Sequence, residues 1–158
     1  IIPEEYGGAG LDYASLAIVM EEVAAADAGL STGVAVQNSL GAAPILRAGT
    51  DAQKEAYLPD LASGARFAAY ALTEPDAGSD TANIRTTARA DGDGWVVNGA
   101  KQWITNGSFA SVFVLYARTG GPGAKGISCF LAEPGEIGGK YRRGDPGRRH
   151  VTAPLDGR

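Results

Sequence analysis

Hydroxyl and carboxylate side chains cluster in one stretch of the sequence, from residue 70 to residue 80. The stretch reads YALTEPDAGSD. Pro75 prevents further strand pairing after Leu72, and Thr73 and Ser79 carry hydroxyl groups. Such a loop can offer backbone N–H groups and hydroxyls to the edge of a flat heterocycle or to a pyrophosphate. The same residue types are also typical of a surface turn, which composition alone favours.

A second stretch, KQWITNG at residues 101–107, carries an aromatic side chain. The Asn98-Gly99 pair is a strong hairpin signal and predicts a strand over 100–104. At the end of such a strand, Trp103 could cover an aromatic ligand with its face, and Thr105 would point to the same side. The alternative to a ligand contact is that Trp103 packs in the core and Thr105 simply favours a strand. For this stretch taken alone, that alternative is preferred.

Helices predicted in the first third of the chain must support these stretches. Asp12 is a predicted N-cap, and apolar residues follow it at helical spacing. A second helix is predicted over 33–48, with a kink at Pro44. A capping box begins at Thr50 and predicts a third helix, which Pro59 should limit.

After residue 66 the pattern changes from helices to strands. Helices followed by strands, without alternation, predict an α+β fold with an antiparallel sheet and disfavour a doubly wound nucleotide fold. The predicted strands are 67–72, 86–90, 95–97, 100–104, 112–117 and 127–132. Residues 135–158 have few apolar side chains and no helical or strand periodicity, so this tail is predicted to be irregular.

Bulk properties exclude several classes of protein. The net charge is −4 over 158 residues, which disfavours nucleic acid and anionic lipid as partners. No apolar run approaches the ~20 residues of a membrane span, and the sequence predicts no metal site. A single cysteine, Cys129, excludes an intramolecular disulfide and favours a reducing compartment. The start lacks both Met and a signal peptide, so we expect a piece of a longer protein.

Taken together, the two stretches resemble the acyl-CoA dehydrogenases in sequence, order and separation. The motifs are YALTEP and AGSD, at residues 70–80, followed by WITNG from Trp103. The opening PEEYGGAGLDY, at residues 3–13, is similar to that family's entry into its middle helices. The resemblance covers about residues 1–134. It implies an N-terminal helical segment followed by an antiparallel β-barrel-like domain, with the C-terminal helical domain absent.

The resemblance implies that the chain lines a bound FAD. Thr73 would touch the polar edge of the flavin, Trp103 would cover one face, and Thr105 would hydrogen-bond near N5. Ser79 would also contact the acyl-CoA substrate, and residues near Val36, Gln37 and Ala42 would lie by the acyl tail. The implied cofactor-binding residues are Tyr70, Ala71, Leu72, Thr73, Glu74, Pro75, Asp76, Ala77, Gly78, Ser79, Trp103, Ile104 and Thr105.

The family removes the α-proton of an acyl-CoA with a Glu while the β-hydride passes to flavin N5. That Glu belongs to the C-terminal helical domain, and Glu74, Glu133 and His150 do not match its motif. We therefore expect no catalytic residue in this chain and no activity from it alone. A flavin oxidase or monooxygenase of the same superfamily is one alternative, and a non-catalytic α+β module is another.

The resemblance also implies partners and a division of the chain. Electron-transfer flavoprotein is the expected electron acceptor, and the full-length enzyme is expected to be a homo-oligomer, commonly a tetramer. The expected location is the cytoplasm, or the mitochondrial matrix in a eukaryote. We predict a partial helical domain at 1–65, a flavin-binding β-domain at 66–134 and an irregular tail at 135–158. The hypothesis for the tail is that it is not native coding sequence.

Overall fold

The structure, a computed structural model, describes residues 1–137 and 149–151. Helices occupy most of the chain up to residue 63, and strands predominate after residue 67. Within the described ranges, no helix is both long and apolar enough to cross a bilayer. The α-helices are α1 (Tyr13–Ala26), α2 (Ala28–Ala35), α3 (Ala43–Ala48), α4 (Asp51–Ser63) and the one-turn α5 (Pro134–Ile137).

Two predicted helix starts are confirmed by their capping hydrogen bonds. The Asp12 carboxylate accepts from the backbone N–H of Ser15 at 2.8 Å and caps α1. At α4, the Thr50 hydroxyl accepts from the Gln53 N–H at 3.2 Å, and the Gln53 side chain accepts from the Thr50 N–H at 2.9 Å. Each bond satisfies a backbone donor that has no partner inside the helix.

The predicted helix over 33–48 is divided into three parts. Regular α-helix ends at Ala35, a π-helical segment runs over Val36–Ala42, and Pro44 lies in the first turn of α3. Pro has no N–H and its ring crowds the carbonyl four residues earlier, so it fits a helix start better than a helix interior. The irregularity therefore precedes Pro44, whereas the kink was predicted at Pro44 itself.

The prediction that Pro59 limits the third helix is wrong, because α4 continues through it to Ser63. The N–H that Pro59 lacks would have bonded to the carbonyl of Glu55, and both residues lie on the exposed side of the helix. A water molecule can donate to the Glu55 carbonyl in place of the missing N–H. Leu58 and Leu61 on the opposite side are buried in the core, which offsets the ~3 kcal/mol cost of a mid-helix Pro.

The strands form one mixed, open sheet, so the prediction of an antiparallel, barrel-like domain is wrong. Strands β2 and β3, β4 and β5, and β3 and β6 pair antiparallel, whereas β1 and β2 both pair with β4 in parallel. The path β1-β4-β2-β3-β6 does not close within the described residues. The strands are β1 (Ala68–Ala71), β2 (Thr87–Asp91), β3 (Gly94–Asn98), β4 (Val112–Arg118), β5 (Ile127–Ala132) and β6 (Arg149–Val151).

Long connections explain the parallel pairs. The chain from β1 to β4 passes through β2, β3 and the segment around Trp103, so β4 can lie beside β1 in the same direction. The predicted irregular tail falls mostly outside the described residues. Two of its parts are regular: α5 reaches Ile137, and β6 pairs with β3.

Core residues lie on both faces of the sheet. Val112 and Val114 of β4 face the helices and belong to one cluster with Ile45 and Leu58. The alternate β4 residues Phe113 and Leu115 belong to a second cluster with Phe130, and Trp95 and Ile104 pack against it. Successive side chains of a strand point to opposite faces, so β4 contributes to both clusters.

Candidate functional site

The loop that follows β1 begins with a tight turn. The backbone groups of Glu74 and Ala77 exchange hydrogen bonds at 3.0 and 3.2 Å, with Pro75 and Asp76 exposed at the corner. This turn buries Ala77 to 2% and Glu74 to 5% exposure. A carboxylate is therefore carried into the interior.

The Glu74 carboxylate joins three segments of the chain. Its Oε1 accepts from the Lys101 ammonium at 2.7 Å and from the Thr86 N–H at 2.9 Å, and its Oε2 accepts from the Arg85 N–H at 2.6 Å. Burial opposes ionisation, but hydrogen bonds from Lys101, Thr86 and Arg85 outweigh it and hold the pKa of Glu74 below its ordinary value. The carboxylate is thus ionised at neutral pH and occupied by its own chain.

Lys101 completes this buried ion pair. Its ammonium also donates to the carbonyl of Leu72 at 2.9 Å, and its side chain is 8% exposed. Burial lowers the pKa of Lys101, and the attraction of Glu74 opposes that shift. Buried charges persist in proteins when they are paired and hydrogen-bonded, as these two are.

The two stretches singled out in the sequence meet directly. The N–H of Gln102 donates to the carbonyl of Thr73 at 2.9 Å, and the Gln102 side-chain amide reaches the Glu74 carbonyl at 3.4 Å. Thr73 is half-buried, whereas the indole of Trp103, next to Gln102, is 84% exposed. The structure therefore joins the segment that carries an exposed indole to the hydroxyl-bearing loop.

The predicted strand over 100–104 is wrong. Residues 99–110 contain turns and bends only, and Trp103 has a φ of 58°, in the left-handed region. That conformation costs a non-glycine residue ~1–3 kcal/mol, which the surrounding contacts must supply. Without a strand, period-two alternation does not apply, so the expectation that Thr105 shares a side with Trp103 loses its basis.

The residues after Trp103 return the chain to the core. Ile104 is half-buried against the second cluster, and Thr105 is exposed. Asn106 has a φ of 64°, and its side-chain amide donates to the Ala68 carbonyl at 3.2 Å. Asn adopts the left-handed conformation more readily than most residues, so it suits this turn.

The remaining predicted contact residues lie on different sides of the molecule. Tyr70 faces the helices, where its ring centroid lies 5.0 Å from that of Tyr116, and Ala71 is buried in the other cluster. Gly78 and Ser79 are exposed in the loop. The structure therefore joins the backbone next to Trp103 to Thr73, with Ser79 further along the same loop and the Tyr70 ring packed on the helix side of the sheet.

The residues proposed to lie by the acyl tail have other contacts. Ala42 is fully buried and Val36 is 8% exposed. The Gln37 amide donates to the carbonyls of Leu61 and Arg66 at 3.0 and 2.9 Å and accepts from the Ala68 N–H at 2.9 Å. The Gln37 side chain therefore holds the helices to the sheet, and the place of these three residues by the acyl tail stays a prediction.

Comparison with known proteins gives a consistent result along the chain. A family model described as the N-terminal domain of acyl-CoA dehydrogenase matches residues 1–65, and one for its middle domain matches residues 69–153. The chain belongs to the acyl-CoA dehydrogenase family.

Individual relatives support that membership. The chain is 48% identical over 131 residues to the human mitochondrial short-chain specific acyl-CoA dehydrogenase, covering 82% of this chain and 32% of the relative. It is 47% identical to a probable acyl-CoA dehydrogenase of Mycobacterium tuberculosis, covering 87% of this chain and 35% of the relative. The chain thus spans about a third of the length of these curated relatives.

A solved structure shows the same fold. The glutaryl-CoA dehydrogenase of Mycobacterium smegmatis in complex with FADH2 superposes with a TM-score of 0.83 at 36% identity. The match covers 96% of this chain and 42% of that one.

Sequence reasoning missed two residues, Lys101 and Arg118, that fix the loops of this candidate site. Lys101 stands two positions before Trp103, and that proximity was the available signal. Arg118 donates to the carbonyls of Ala82, Ile84 and Gly123 at the end of β4, with the Ile84 bond at 3.1 Å. It thereby fixes the loop after Ser79, and no local pattern indicated this role.

The described residues contain no group of His, Cys, Asp and Glu side chains that could hold a metal ion. Cys129 is half-buried, and burial raises the pKa of its thiol to about 11. A thiol with that pKa is a poor nucleophile at neutral pH.

Proposed function

We propose that this chain supplies flavin-binding surface to a FAD-dependent acyl-CoA dehydrogenase, which removes hydrogens from the α and β carbons of acyl-CoA thioesters. One observation carries the proposal: the Gln102–Thr73 hydrogen bond of 2.9 Å joins the segment that carries the exposed Trp103 to the loop that carries Thr73. A flat ring with polar edges fits this combination of an aromatic face and adjacent hydroxyl and backbone groups. When bound, the flavin supplies the hydride acceptor for the reaction.

The residues of this chain then bind and orient. Trp103 covers one face of the ring system and excludes water from it, leaving the other face for the thioester. With FAD bound, Thr73 would hydrogen-bond the polar edge of the flavin, and Thr105 would lie near N5, as the family resemblance implies. Ser79, exposed on the loop that Arg118 fixes, contacts both the cofactor and the acyl-CoA.

The proton at the α carbon requires a base other than the glutamates near this site. Glu74 is held by Lys101 and two backbone N–H groups, and Glu133 accepts from Arg66 at 2.6 Å. The lowered pKa of Glu74 makes its carboxylate a weak base. We propose that a glutamate of a C-terminal helical domain takes this proton and that these 158 residues alone do not turn over substrate.

The proposal extends to partners and location. Electron-transfer flavoprotein is the proposed acceptor of the electrons, and the whole enzyme is proposed to be a homo-oligomer. Relatives include mitochondrial and bacterial proteins, so the compartment, cytoplasm or mitochondrial matrix, stays a prediction. The domain boundaries at residues 65 and 134, and the non-native origin of the tail, also stay predictions.

The test is flavin binding by the full natural protein. Wild type should retain FAD through purification, and Trp103→Leu should bind it more weakly, because the covering face is lost. Phe109→Leu is the matched control, since Phe109 is also an exposed aromatic, at 59%. Wild-type protein that does not bind FAD would overturn the proposal. Formation of hydrogen peroxide with acyl-CoA, in place of reduction of an electron-transfer acceptor, would instead favour the flavin oxidase.

A further inference from the structure

Residues 101–106, here named the Trp103 strap, are anchored at both ends. Lys101 and Gln102 bond to residues 72–74, and the Asn106 amide bonds to the Ala68 carbonyl at 3.2 Å. Ile104 adds an apolar contact with the core. The indole at the centre of the strap projects outward, with 84% of its residue surface exposed, and Thr105 is also exposed.

The anchor at Lys101 differs from the other ion pairs of the described residues. Its two side chains are 8% and 5% exposed, whereas those of Arg85 and Asp76 are 78% and 65% exposed. Removing two charges from water costs free energy that their attraction does not always recover, so such pairs often contribute geometry more than stability. Here the ion pair fixes the position of the strap relative to the loop after β1.

The same carboxylate also fixes the start of β2. Glu74 accepts from the N–H groups of Arg85 and Thr86 while it binds Lys101. One buried group therefore sets the relative position of three segments that are separate in the sequence. The strap can hold Trp103 at a φ of 58° only if its neighbours are fixed in this way.

We infer that Lys101 and Glu74 are positioning residues for the indole of Trp103. Their ion pair holds the strap so that the indole stands ready for a planar ligand before that ligand arrives. This inference rests on the proposed function for the identity of the ligand, FAD, but the anchoring of the strap at both ends is a property of the chain itself. Preorganised groups bind more tightly because less freedom is lost on binding.

The experiment uses the full natural protein in a Trp95→Phe background, so that Trp103 is the one tryptophan among these residues. Time-resolved fluorescence anisotropy of the FAD-free protein reports the local motion of the indole. Titration with FAD then gives the dissociation constant. The variants are Lys101→Met, which removes the ammonium, and the double variant Lys101→Met with Glu74→Gln, which leaves no unpaired buried carboxylate.

Two controls separate positioning from stability. Lys54→Met breaks the Lys54–Asp51 pair, in which Asp51 is 92% exposed, by the same chemical change. Leu58→Ala removes a fully buried core side chain in the helical layer and lowers stability without contacting the strap. Neither control should change the local motion of Trp103.

We expect both Lys101 variants to add nanosecond motion of the indole and to raise the FAD dissociation constant about tenfold, the lower range for loss of a supporting contact. One outcome is that FAD binds to wild type while neither variant changes the local motion of the indole or the FAD dissociation constant. That result overturns the positioning role, and the proposed function stands. The role is also overturned if Leu58→Ala changes both quantities as much. If wild type shows a rigid indole and no FAD binding, the proposed function fails and the strap geometry is retained.

Discussion

The ammonium of Lys101 lies 2.7 Å from the carboxylate of Glu74, and both side chains are almost fully buried. The two residues are 27 positions apart in the sequence. Their contact fixes the segment that carries Trp103 against the loop that carries Thr73. In this chain a buried ion pair therefore supports the segment that carries an exposed aromatic side chain. Substitutions at Lys101 or Glu74 and substitutions at Trp103 can be tested separately.

Acid should remove the contribution of Glu74 to stability. Because its pKa is lowered in the folded chain, its stabilisation is complete above the ordinary carboxyl pKa of about 4.3 and is lost as the pH falls through the lower folded value. The free energy of unfolding of wild type should exceed that of Glu74→Gln at pH 7, and the difference should narrow below about pH 4. Denaturant unfolding at several pH values measures this. An equal difference at all pH values would contradict it.

At position 103, glycine should be more stable than alanine. The φ of 58° is open to glycine but strains any residue with a Cβ, and the exposed indole contributes little packing. We expect Trp103→Gly to exceed Trp103→Ala in unfolding free energy by about 1 kcal/mol, although both should lose FAD affinity. Thermal denaturation of the two variants provides the comparison. Greater stability of the alanine variant would show that the strap adopts another conformation.

Gln37 should be intolerant of a charge. Its amide donates to two carbonyls, so a carboxylate in Gln37→Glu would face the oxygens of Leu61 and Arg66. We expect a loss of about 3 kcal/mol or more, as for a buried group with unmet hydrogen bonds. Gln53→Glu is the matched control, because Glu also serves in a capping box and Gln53 lies near the surface of α4. Equal unfolding free energies for the two variants would contradict the assignment.

Arg118 should be irreplaceable by lysine. Its guanidinium reaches carbonyls of two loops, including Gly121 at 2.7 Å and Ile84 at 3.1 Å, whereas a single ammonium cannot span them. We expect Arg118→Lys to lower stability by about 2 kcal/mol and to increase proteolytic cleavage within residues 78–84. The control is Arg89→Lys, at an exposed position of β2. Unchanged cleavage in Arg118→Lys would show that the loop is held by other contacts.

Several features could be predicted because neighbouring residues determine them. The Asp12 cap and the capping box of Thr50 and Gln53 each close a hydrogen bond over three residues, so the sequence contains the whole interaction. Strands were predicted at 112–117 and 127–132 for the same reason, from their own apolar residues, and are observed at Val112–Arg118 and Ile127–Ala132. The resemblance to acyl-CoA dehydrogenases also indicated that Thr73 and Trp103 belong to one site.

Other features depended on contacts that local patterns do not contain. The Asn98-Gly99 signal predicted a strand through Trp103, but bonds from Lys101 and Gln102 to the loop after β1 impose a different backbone. Pro59 predicted a helix end, yet the burial of Leu58 and Leu61 keeps α4 intact. Parallel pairing of β1 with β4 joins residues more than forty positions apart, such as Ala68 and Val112.

By itself, the sequence determined where α1 and α4 begin, which residues form most strands and which family the motifs resemble, since these follow from side chains close together in the chain. Only the tertiary structure decided that Glu74 would be buried under Lys101 and that Trp103 would stand exposed in a left-handed conformation. The physical reason is that burying a charge or straining a backbone is unfavourable locally. Each becomes stable only when distant segments supply the partners.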